Sequence, residues 1–317
     1  MRLVDGVGVK IMKRNIKISY ICTKLGLNYI GTDISINTLA LCNRTTQYEN
    51  ALSYVTNEKY VEIINENTAI KCLVVSSENL SIYEELIKTK GRSMTFIISF
   101  NPETVFYNIH DFLIDKTDFY GINNEPTSFG ANCNIAGTAV IQKGVKVGNN
   151  VKIGENSVIK SGSILEDNVT IGCNTVIGAE GFQIIQSNHK NRRIRHCGGI
   201  LVSVGAYIGD NVTACNSLFE GVTYIGKNVM IDNLVYIGHN GYIGNGAVIT
   251  AGVILCGSAI IKEEAWVGVN SSVLNRVVVG ESSMIGIGSV VTRDIPSKSL
   301  AYGVPAKKKS LNSKKIV

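Results

Sequence analysis

The chain contains 317 residues, of which 45% are apolar and 18% are charged. This balance provides for a large buried core and excludes a wholly disordered protein, and the length favours two domains. Glycine is frequent, with 32 residues, and proline is rare, with 4. Because the glycines follow no collagen period, the composition predicts a folded chain with many tight turns.

The net charge of +6 comes mainly from the C-terminal segment. Its lysines have no acidic neighbour and supply five of the six charges, at Lys307, Lys308, Lys309, Lys314 and Lys315. Since the rest of the chain is nearly neutral, we expect no nucleic-acid surface.

No apolar run approaches the roughly 18 residues of a membrane span, so we expect no transmembrane helix. The N-terminal residues mix charged with apolar side chains, unlike a signal peptide. The eight cysteines form no C-x-x-C pair. We therefore expect reduced cysteines in a cytoplasmic protein, with no metal site.

Residues 1–100 predict a small α/β domain. Residues 18–25 and 83–90 have the pattern of helices, and residues 70–76 and 94–99 have that of buried strands. Asn101 and Pro102 then begin a helix as N-cap and first residue. One face of this helix carries Val105, Phe106, Ile109, Phe112 and Leu113. We interpret residues 101–128 as a bridge between two domains.

An internal repeat of six residues begins at Phe129. Apolar residues recur every sixth position to Ile177, return at Val202 and Ile208, and continue from Ile225 to Val291. This period fits neither an α-helix nor a meander, and a sandwich of short strands would not keep its phase for so long. It predicts a parallel β-helix over residues 129–296, with three sides and 18 residues in each coil. The first residue of each hexapeptide points inward.

Residues 179–199 break the repeat and are polar and basic. We expect them to leave the β-helix as a loop. Long loops on a rigid scaffold are commonly functional, although this one could serve only to pack against a neighbouring subunit.

His239 is the one histidine within a clean hexapeptide, as the third residue of Ile237-Gly238-His239. Steps of 18 residues lead from it to Gly257 and Asn275, which are also third residues. Coils stack at about 4.8 Å, so these three residues should form one column. A base, an unshielded glycine N–H and an amide suit acyl transfer, and Asp232 could orient the imidazole. The alternative is a solvated surface histidine and a glycine that only permits a turn. Three stacked histidines, as for a zinc site, are lacking.

Residues 54–60 place Tyr54 and Tyr60 around Asn57. Two aromatic rings can sandwich a base, and an amide can read its polar edges. Ordinary packing is the alternative. The chain contains neither a P-loop motif nor a strand-linked G-x-G-x-x-G, so nothing indicates an ATPase or a dinucleotide enzyme.

Together these motifs resemble the UDP-3-O-acylglucosamine N-acyltransferases of lipid A biosynthesis. The resemblance covers about residues 15–295, and its most specific parts are residues 53–60, 101–102, 178–182 and 231–240. It implies a left-handed β-helix, a homotrimer and active sites between neighbouring subunits. It also implies an N-terminal nucleotide-binding domain.

The resemblance assigns roles to residues of this chain. Tyr54 and Tyr60 would sandwich the uracil, and Asn57 would contact the nucleotide sugar. His239 would be the general base, with Asp232 orienting it and the Gly257 N–H holding the oxyanion. The substrate would also contact Asn233 and Asn275. No cofactor would be permanently bound.

Two departures from the family bear on the substrates. Asn275 stands where the family usually has a second histidine. Residues 297–317 end in a loop and a basic tail, which is similar to the coenzyme A-dependent sugar N-acetyltransferases of surface-glycan pathways. Gly303 and Lys307 would then lie beside the donor. The lysine tail could meet coenzyme A or an acidic carrier protein, or could be a disordered end.

The sequence therefore predicts an N-acyltransferase that uses acyl-coenzyme A or an acyl carrier protein and a UDP- or dTDP-linked amino sugar. We favour a role in surface-glycan (O-antigen or capsule) synthesis. The lipid A reaction is the alternative within enzymes, and a non-catalytic trimeric scaffold that binds a nucleotide sugar is the alternative outside them.

Overall fold

The computed structural model describes residues 15–43, 49–89, 91–121, 126–187, 190–219 and 221–309. The chain divides into two compact units. The first contains residues 1–121 with 184–194, and the second contains residues 122–183 with 195–317.

The first unit is an α/β domain, as predicted. Its strands are β1 (Ile16–Lys17), β2 (Asn28–Ile30), β3 (Ser35–Ile36), β4 (Thr38–Leu39), β5 (Ala51–Tyr54), β6 (Ile70–Val75) and β7 (Thr95–Ile98). Its helices are α1 (Ile18–Leu25), the 3₁₀ turn Glu58–Tyr60, α2 (Val61–Glu66), α3 (Ser77–Thr89) and α4 (Pro102–Lys116). The main sheet has the order β2-β7-β6-β5-β4, with only the β2–β7 pair antiparallel.

Helix α4 belongs to the first unit and is not a bridge between the two units. The side chain of Asn101 accepts a hydrogen bond from the Thr104 N–H, which is the predicted N-cap. Its buried face contains Tyr107 and His110, whereas Phe112, which we expected there, is half-buried. That face packs on β5 and β6, and the large area it buries explains why the helix stays with the N-terminal sheet.

The second unit is a parallel β-helix with three faces. Face I contains Ser128–Phe129, Lys146–Val147, Ser163–Leu165, Gly199–Val202, Val222–Ile225, Tyr242–Ile243, Ile260–Ile261 and Val278–Val279. Face II contains Asn134–Ile135, Lys152–Ile153, Thr170–Ile171, Tyr207–Ile208, Met230–Ile231, Val248–Ile249, Trp266–Val267, Met284–Ile285, Leu300–Tyr302 and Lys307–Lys309. Face III contains Val140–Ile141, Val158–Ile159, Val176–Ala179, Thr213–Cys215, Tyr236–Ile237, Ile254–Leu255, Ser272–Val273 and Val290–Val291.

The strand registers confirm the predicted 18-residue coil. Ile237 pairs with Leu255 and Leu255 pairs with Val273, all in parallel register. The first residue of almost every hexapeptide is buried in one continuous core. Phe129 is an exception and is 54% exposed, because its strand lies at the end of face I and is stacked on one side only.

The corners of the β-helix depend on two different backbone requirements. The fourth residue of a hexapeptide adopts a positive φ and is often asparagine, as at Asn150 (φ 56°) and Asn240 (φ 57°). Asparagine tolerates this left-handed conformation better than most residues. The second residue is often glycine because coils approach closely there. A Cβ atom on Gly154, for example, would lie 2.7 Å from the backbone of Gly172.

The predicted loop at residues 179–199 does leave the repeat. It contains two paired strands, Gln183–Ser187 and Lys190–Ile194. Residues 184–194 belong to the first unit, where Arg192 forms an ion pair with Asp111 of α4 and a hydrogen bond to Asn108 Oδ1 (2.8 Å).

The stacked core predicts a strong difference between inward and outward residues of the β-helix. Ile249 is fully buried, whereas Ile254 is 45% exposed. We expect Ile249→Ala to lower the free energy of unfolding by about 2–5 kcal/mol, because the rigid stack cannot close the cavity. Ile254→Ala, the matched control, should change it by less than about 0.5 kcal/mol. Urea unfolding followed by circular dichroism measures both, and equal losses would contradict the stacked core.

Candidate functional site

The corner between faces III and I carries a column of polar and small residues. Ala214 pairs with Ile237, so the third residues of the successive hexapeptides follow one another in the stack. Four consecutive members are Asn216, His239, Gly257 and Asn275. The structure thus brings the predicted residues 239, 257 and 275 into one column and adds Asn216 to it.

His239 and Gly257 are in direct contact. A Cβ atom on residue 257 would lie 2.5 Å from Nε2 and 2.8 Å from Cε1 of the imidazole. Only glycine leaves room for the ring in this orientation, because the ring atoms lie too close to the position that a Cβ atom would take. The glycine therefore does more than permit a turn, and its φ is not in the positive range that requires glycine.

Asn240 determines which nitrogen of His239 carries the proton. Its Oδ1 atom lies 3.0 Å from His239 Nδ1 and also accepts a hydrogen bond from the Leu218 N–H (3.1 Å). Since a backbone N–H can only donate, the atom between them must be the amide oxygen. The His239 Nδ1 must then donate to it. The neutral ring therefore has its lone pair on Nε2, which faces Gly257.

Within one described chain, Asp232 does not lie beside the imidazole, and its orienting role stays a prediction. It follows a face II strand, whereas His239 follows the next strand, on face III, so the two occupy different corners of the coil. The Asp232 carboxylate accepts a hydrogen bond from the Asn233 N–H (2.7 Å). Within one described chain, Asn240 and not Asp232 orients the ring.

His196 is a site residue that the sequence analysis missed. Its ring centroid lies 5.0 Å from that of His239, with the planes inclined by 59°. The side chain is only 7% exposed. Because residues 180–198 leave and re-enter the β-helix at the III–I corner, His196 reaches the column although it lies outside the six-residue period. The interruption of the repeat at the same corner is the signal that could have found it.

Four neighbours hold His196 and the adjacent chain in place. Glu180 Oε1 accepts a hydrogen bond from the His196 N–H (3.4 Å), and Asn216 Nδ2 donates to the His196 carbonyl (3.2 Å). A Cβ atom on Gly181 would lie 2.5 Å from His196 Nε2 and 3.0 Å from His239 Cβ. The Cys197 N–H donates to the carbonyl of Leu218 (2.8 Å).

Tyr54 lies at the end of β5 and packs on α4. Its ring centroid lies 4.9 Å from that of Phe106 and 6.0 Å from that of Tyr107. Its hydroxyl donates to Glu103 Oε1 (2.8 Å). Burial, together with the neighbouring Tyr107 and Glu103, holds the pKa of Tyr54 far above its ordinary value, so the hydroxyl remains a donor.

Asn57 is the N-cap of the 3₁₀ turn after β5, and Tyr60 is the last residue of that turn. Asn57 Oδ1 accepts a hydrogen bond from the Lys59 N–H (3.2 Å), and the Asn57 carbonyl accepts one from the Tyr83 hydroxyl (2.8 Å). The Lys59 ammonium lies 5.3 Å from the centroid of the Tyr60 ring. These contacts give the motif a structural function of its own, and a role in binding a nucleotide stays a prediction.

The remaining predicted binding residues are separate from the His239 ring contacts. Asn233 Oδ1 accepts a hydrogen bond from the Asp210 N–H (2.7 Å), which joins two coils at the II–III corner. Asn275 is exposed, one coil beyond Gly257 in the column. Lys307 begins the second strand of the pair Leu300–Tyr302 and Lys307–Lys309, which extends face II, and Gly303 lies in the turn between the two strands. The tail beyond residue 309 lies outside the described residues.

Within the described ranges, no helix is long and apolar enough to cross a membrane.

Comparison with known proteins agrees with the repeat. The family model described as "Bacterial transferase hexapeptide (six repeats)" matches residues 126–161 and 144–179. The matched stretch lies within the β-helix, so the match agrees with the 18-residue coils and their inward column.

Curated relatives resemble a part of the chain. The UDP-3-O-acylglucosamine N-acyltransferase of Oleidesulfovibrio alaskensis is 39% identical over 82 residues, 26% of this chain and 24% of that protein. The enzyme of the same name from Maricaulis maris is 40% identical over 82 residues, with the same coverage. The chain therefore spans about a quarter of the length of the curated relatives that it matches.

A solved structure is similar over a longer stretch. The UDP-N-acetylglucosamine acyltransferase from Campylobacter jejuni is 26% identical, with a TM-score of 0.52. The similarity covers 59% of this chain and 71% of that one.

The contact with Asn240 predicts one tautomer of His239. The chain has only four histidines, so ¹⁵N NMR can resolve this ring. Near neutral pH we expect the proton on Nδ1. Asn240→Ala should mix the two tautomers, since the fixed acceptor is gone, whereas Asn240→Asp keeps an acceptor and tolerates the left-handed backbone. A proton found on Nε2 in the unmodified protein would contradict the assignment.

Proposed function

We propose that this protein is an N-acyltransferase. It moves an acyl group from a phosphopantetheine thioester to the amino group of a nucleotide-linked amino sugar. The observation that carries the proposal is the orientation of the His239 imidazole, whose Nε2 faces Gly257 while Asn240 Oδ1 lies 3.0 Å from Nδ1. The names of the partial curated relatives and of the similar solved structure support the same reaction class.

The reaction needs a base beside the attacking amine and a hydrogen-bond donor beside the carbonyl oxygen of the thioester. The sugar amine attacks the thioester carbonyl, and His239 Nε2 accepts the amine proton as the C–N bond forms. The Gly257 N–H stabilises the oxyanion of the tetrahedral intermediate. Collapse of the intermediate breaks the C–S bond, and the imidazolium returns its proton to the departing sulfur. The products are an amide and a thiol.

The curated relatives favour the lipid A substrate over the surface-glycan substrate that the sequence analysis preferred. Both partial relatives named above are UDP-3-O-acylglucosamine N-acyltransferases. We therefore propose UDP-3-O-acylglucosamine as the acceptor. Tyr54 and Tyr60 are the proposed base-stacking residues, and Asn57, Asn233 and Asn275 are the proposed polar contacts.

One observation favours a second candidate, a coenzyme A-dependent sugar N-acetyltransferase for surface glycans. The strand pair at residues 300–309 presents Lys307 and Lys308 as exposed side chains. Exposed ammonium groups on an ordered strand can bind the phosphates of coenzyme A. In this second candidate, Gly303 and Lys307 bind the donor. Either donor is a substrate and not a resident cofactor.

We also propose that the β-helix is left-handed and assembles as a homotrimer. An outward column of apolar residues on face II supports an assembly, because contiguous exposed apolar area commonly marks an interface. Strand register aligns its members, and Tyr207 (42%), Met230 (47%) and Trp266 (43%) are exposed. In this proposal the active sites lie where subunits meet.

Substitution of the base tests the function. His239→Ala should reduce kcat by at least about 10²-fold, since proton acceptance contributes on this scale. Gly257→Ala should cause a comparable loss, because its methyl group would lie 2.5 Å from Nε2 of the ring. Gly137→Ala is the matched control, because no atom lies within 4 Å of the added Cβ. Amide formation is measured by mass spectrometry. Full activity of His239→Ala would show that His239 is not the base.

An assay that combines different acyl donors with different acceptor sugars distinguishes the lipid A reaction from the surface-glycan reaction. We expect transfer of a 3-hydroxyacyl group from acyl carrier protein to UDP-3-O-acylglucosamine. The same assay pairs acetyl-coenzyme A with UDP- and dTDP-linked amino sugars that lack an O-acyl group. Activity confined to coenzyme A and unacylated sugars would replace the lipid A proposal by the surface-glycan one.

A further inference from the structure

We propose that His196 is a positioning residue for His239. This inference rests on the proposed function, since it concerns the ring that acts as base there. Residues 180–198, the extruded segment, bring the His196 imidazole into contact with the His239 imidazole and so complete the proposed catalytic site. The relevant contact is between the two rings and does not require a chemical step at His196.

The geometry around His239 leaves its ring little freedom. Asn240 holds Nδ1 at one edge, and Gly257 lies under Nε2 at the other. His196 packs on the ring at a centroid distance of 5.0 Å and an inclination of 59°. Tilted aromatic pairs at this distance are attractive, and a third contact restricts rotation about the Cβ–Cγ bond of His239.

The position of His196 is itself well determined. The side chain is 7% exposed, so it is packed on nearly all sides. The Glu180 and Asn216 side chains hold its backbone N–H and carbonyl. Gly181 leaves the space that both rings need, since a Cβ there would lie 2.5 Å from His196 Nε2 and 3.0 Å from His239 Cβ. Because these contacts hold His196 in place, its ring can restrict the orientation of the His239 ring.

The same segment is also connected to the tautomer of His239. Cys197, the next residue, donates its N–H to the Leu218 carbonyl (2.8 Å), and the Leu218 N–H donates to Asn240 Oδ1 (3.1 Å). That oxygen is the acceptor for His239 Nδ1. Residues 196 and 197 therefore support the proposed base in two ways. The His196 ring contacts the His239 ring, and Cys197 is linked through Leu218 to the Asn240 oxygen that accepts the Nδ1 proton.

Three substitutions test the ring contact. His196→Ala removes the ring, His196→Phe keeps a planar ring without nitrogen atoms, and His196→Leu keeps volume without a planar ring. We expect His196→Ala and His196→Leu to lower kcat by about 10- to 100-fold with KM changed less than about threefold, because small misplacements of a catalytic group cost rates of this order. His196→Phe should retain at least about a third of kcat.

Two readouts separate positioning from simple loss of structure. In the ¹⁵N spectrum, His239 should keep its Nδ1 proton in His196→Phe and become a mixture of tautomers in His196→Leu. Gly181→Ala should imitate His196→Leu, and Gly137→Ala, with open space at its Cβ, is its matched control. Melting temperatures monitor the fold, and if His196→Ala does not fold, the Phe and Leu variants decide.

The outcomes distinguish this inference from the proposed function. Inactive His239→Ala together with fully active His196→Leu would overturn the inference and leave the function standing. Equal loss in His196→Phe and His196→Leu would also overturn it, because the ring nitrogens would then be needed for themselves. Full activity of His239→Ala would overturn the function first.

Discussion

The pairing of each residue with the one 18 positions later organises the β-helix. Parallel registers such as Ile237 with Leu255 place every first residue in the core and every third residue in a column at a corner. Burial of the stacked apolar residues supplies the driving force, and positive φ angles at the fourth residues let the chain turn. Once this register is set, His239 and Gly257 must be neighbours, whatever the rest of the sequence does.

The regular part of the fold could be predicted because it follows a single period. Twelve consecutive hexapeptides from Ile225 fix both the coil length and the inward face. The extent of α3 and the place of α4 were harder. Helix α3 begins at Ser77, well before the apolar pattern that starts at Tyr83. Helix α4 stays with the N-terminal sheet because Tyr107 and His110 enlarge its buried face, and tertiary packing of this kind leaves no periodic trace.

In the site, too, residues that follow the six-residue repeat could be placed from the sequence, whereas His196, which lies outside the repeat, could not. Spacing placed His239, Gly257 and Asn275 correctly in one column, since all three obey the repeat. Asp232 lies one side earlier, at a different corner of the same chain, so its orienting role stays a prediction. Within the chain Asn240 contacts the ring, because it is the next residue and its oxygen is anchored by the Leu218 N–H. His196 lies outside the six-residue period, so only the folded chain shows it beside His239.

The extruded segment leaves after Ala179 and returns at Gly199. The strand register shifts locally between Ile177 and Ala179 on face III, whereas on face I Leu165 still pairs with Val202. Such a corner accepts insertions at little cost to the coils above and below it. The protein can therefore vary the length and composition of this excursion almost independently of its scaffold. Because the segment returns beside His239, changes in its sequence can alter the surroundings of the proposed base.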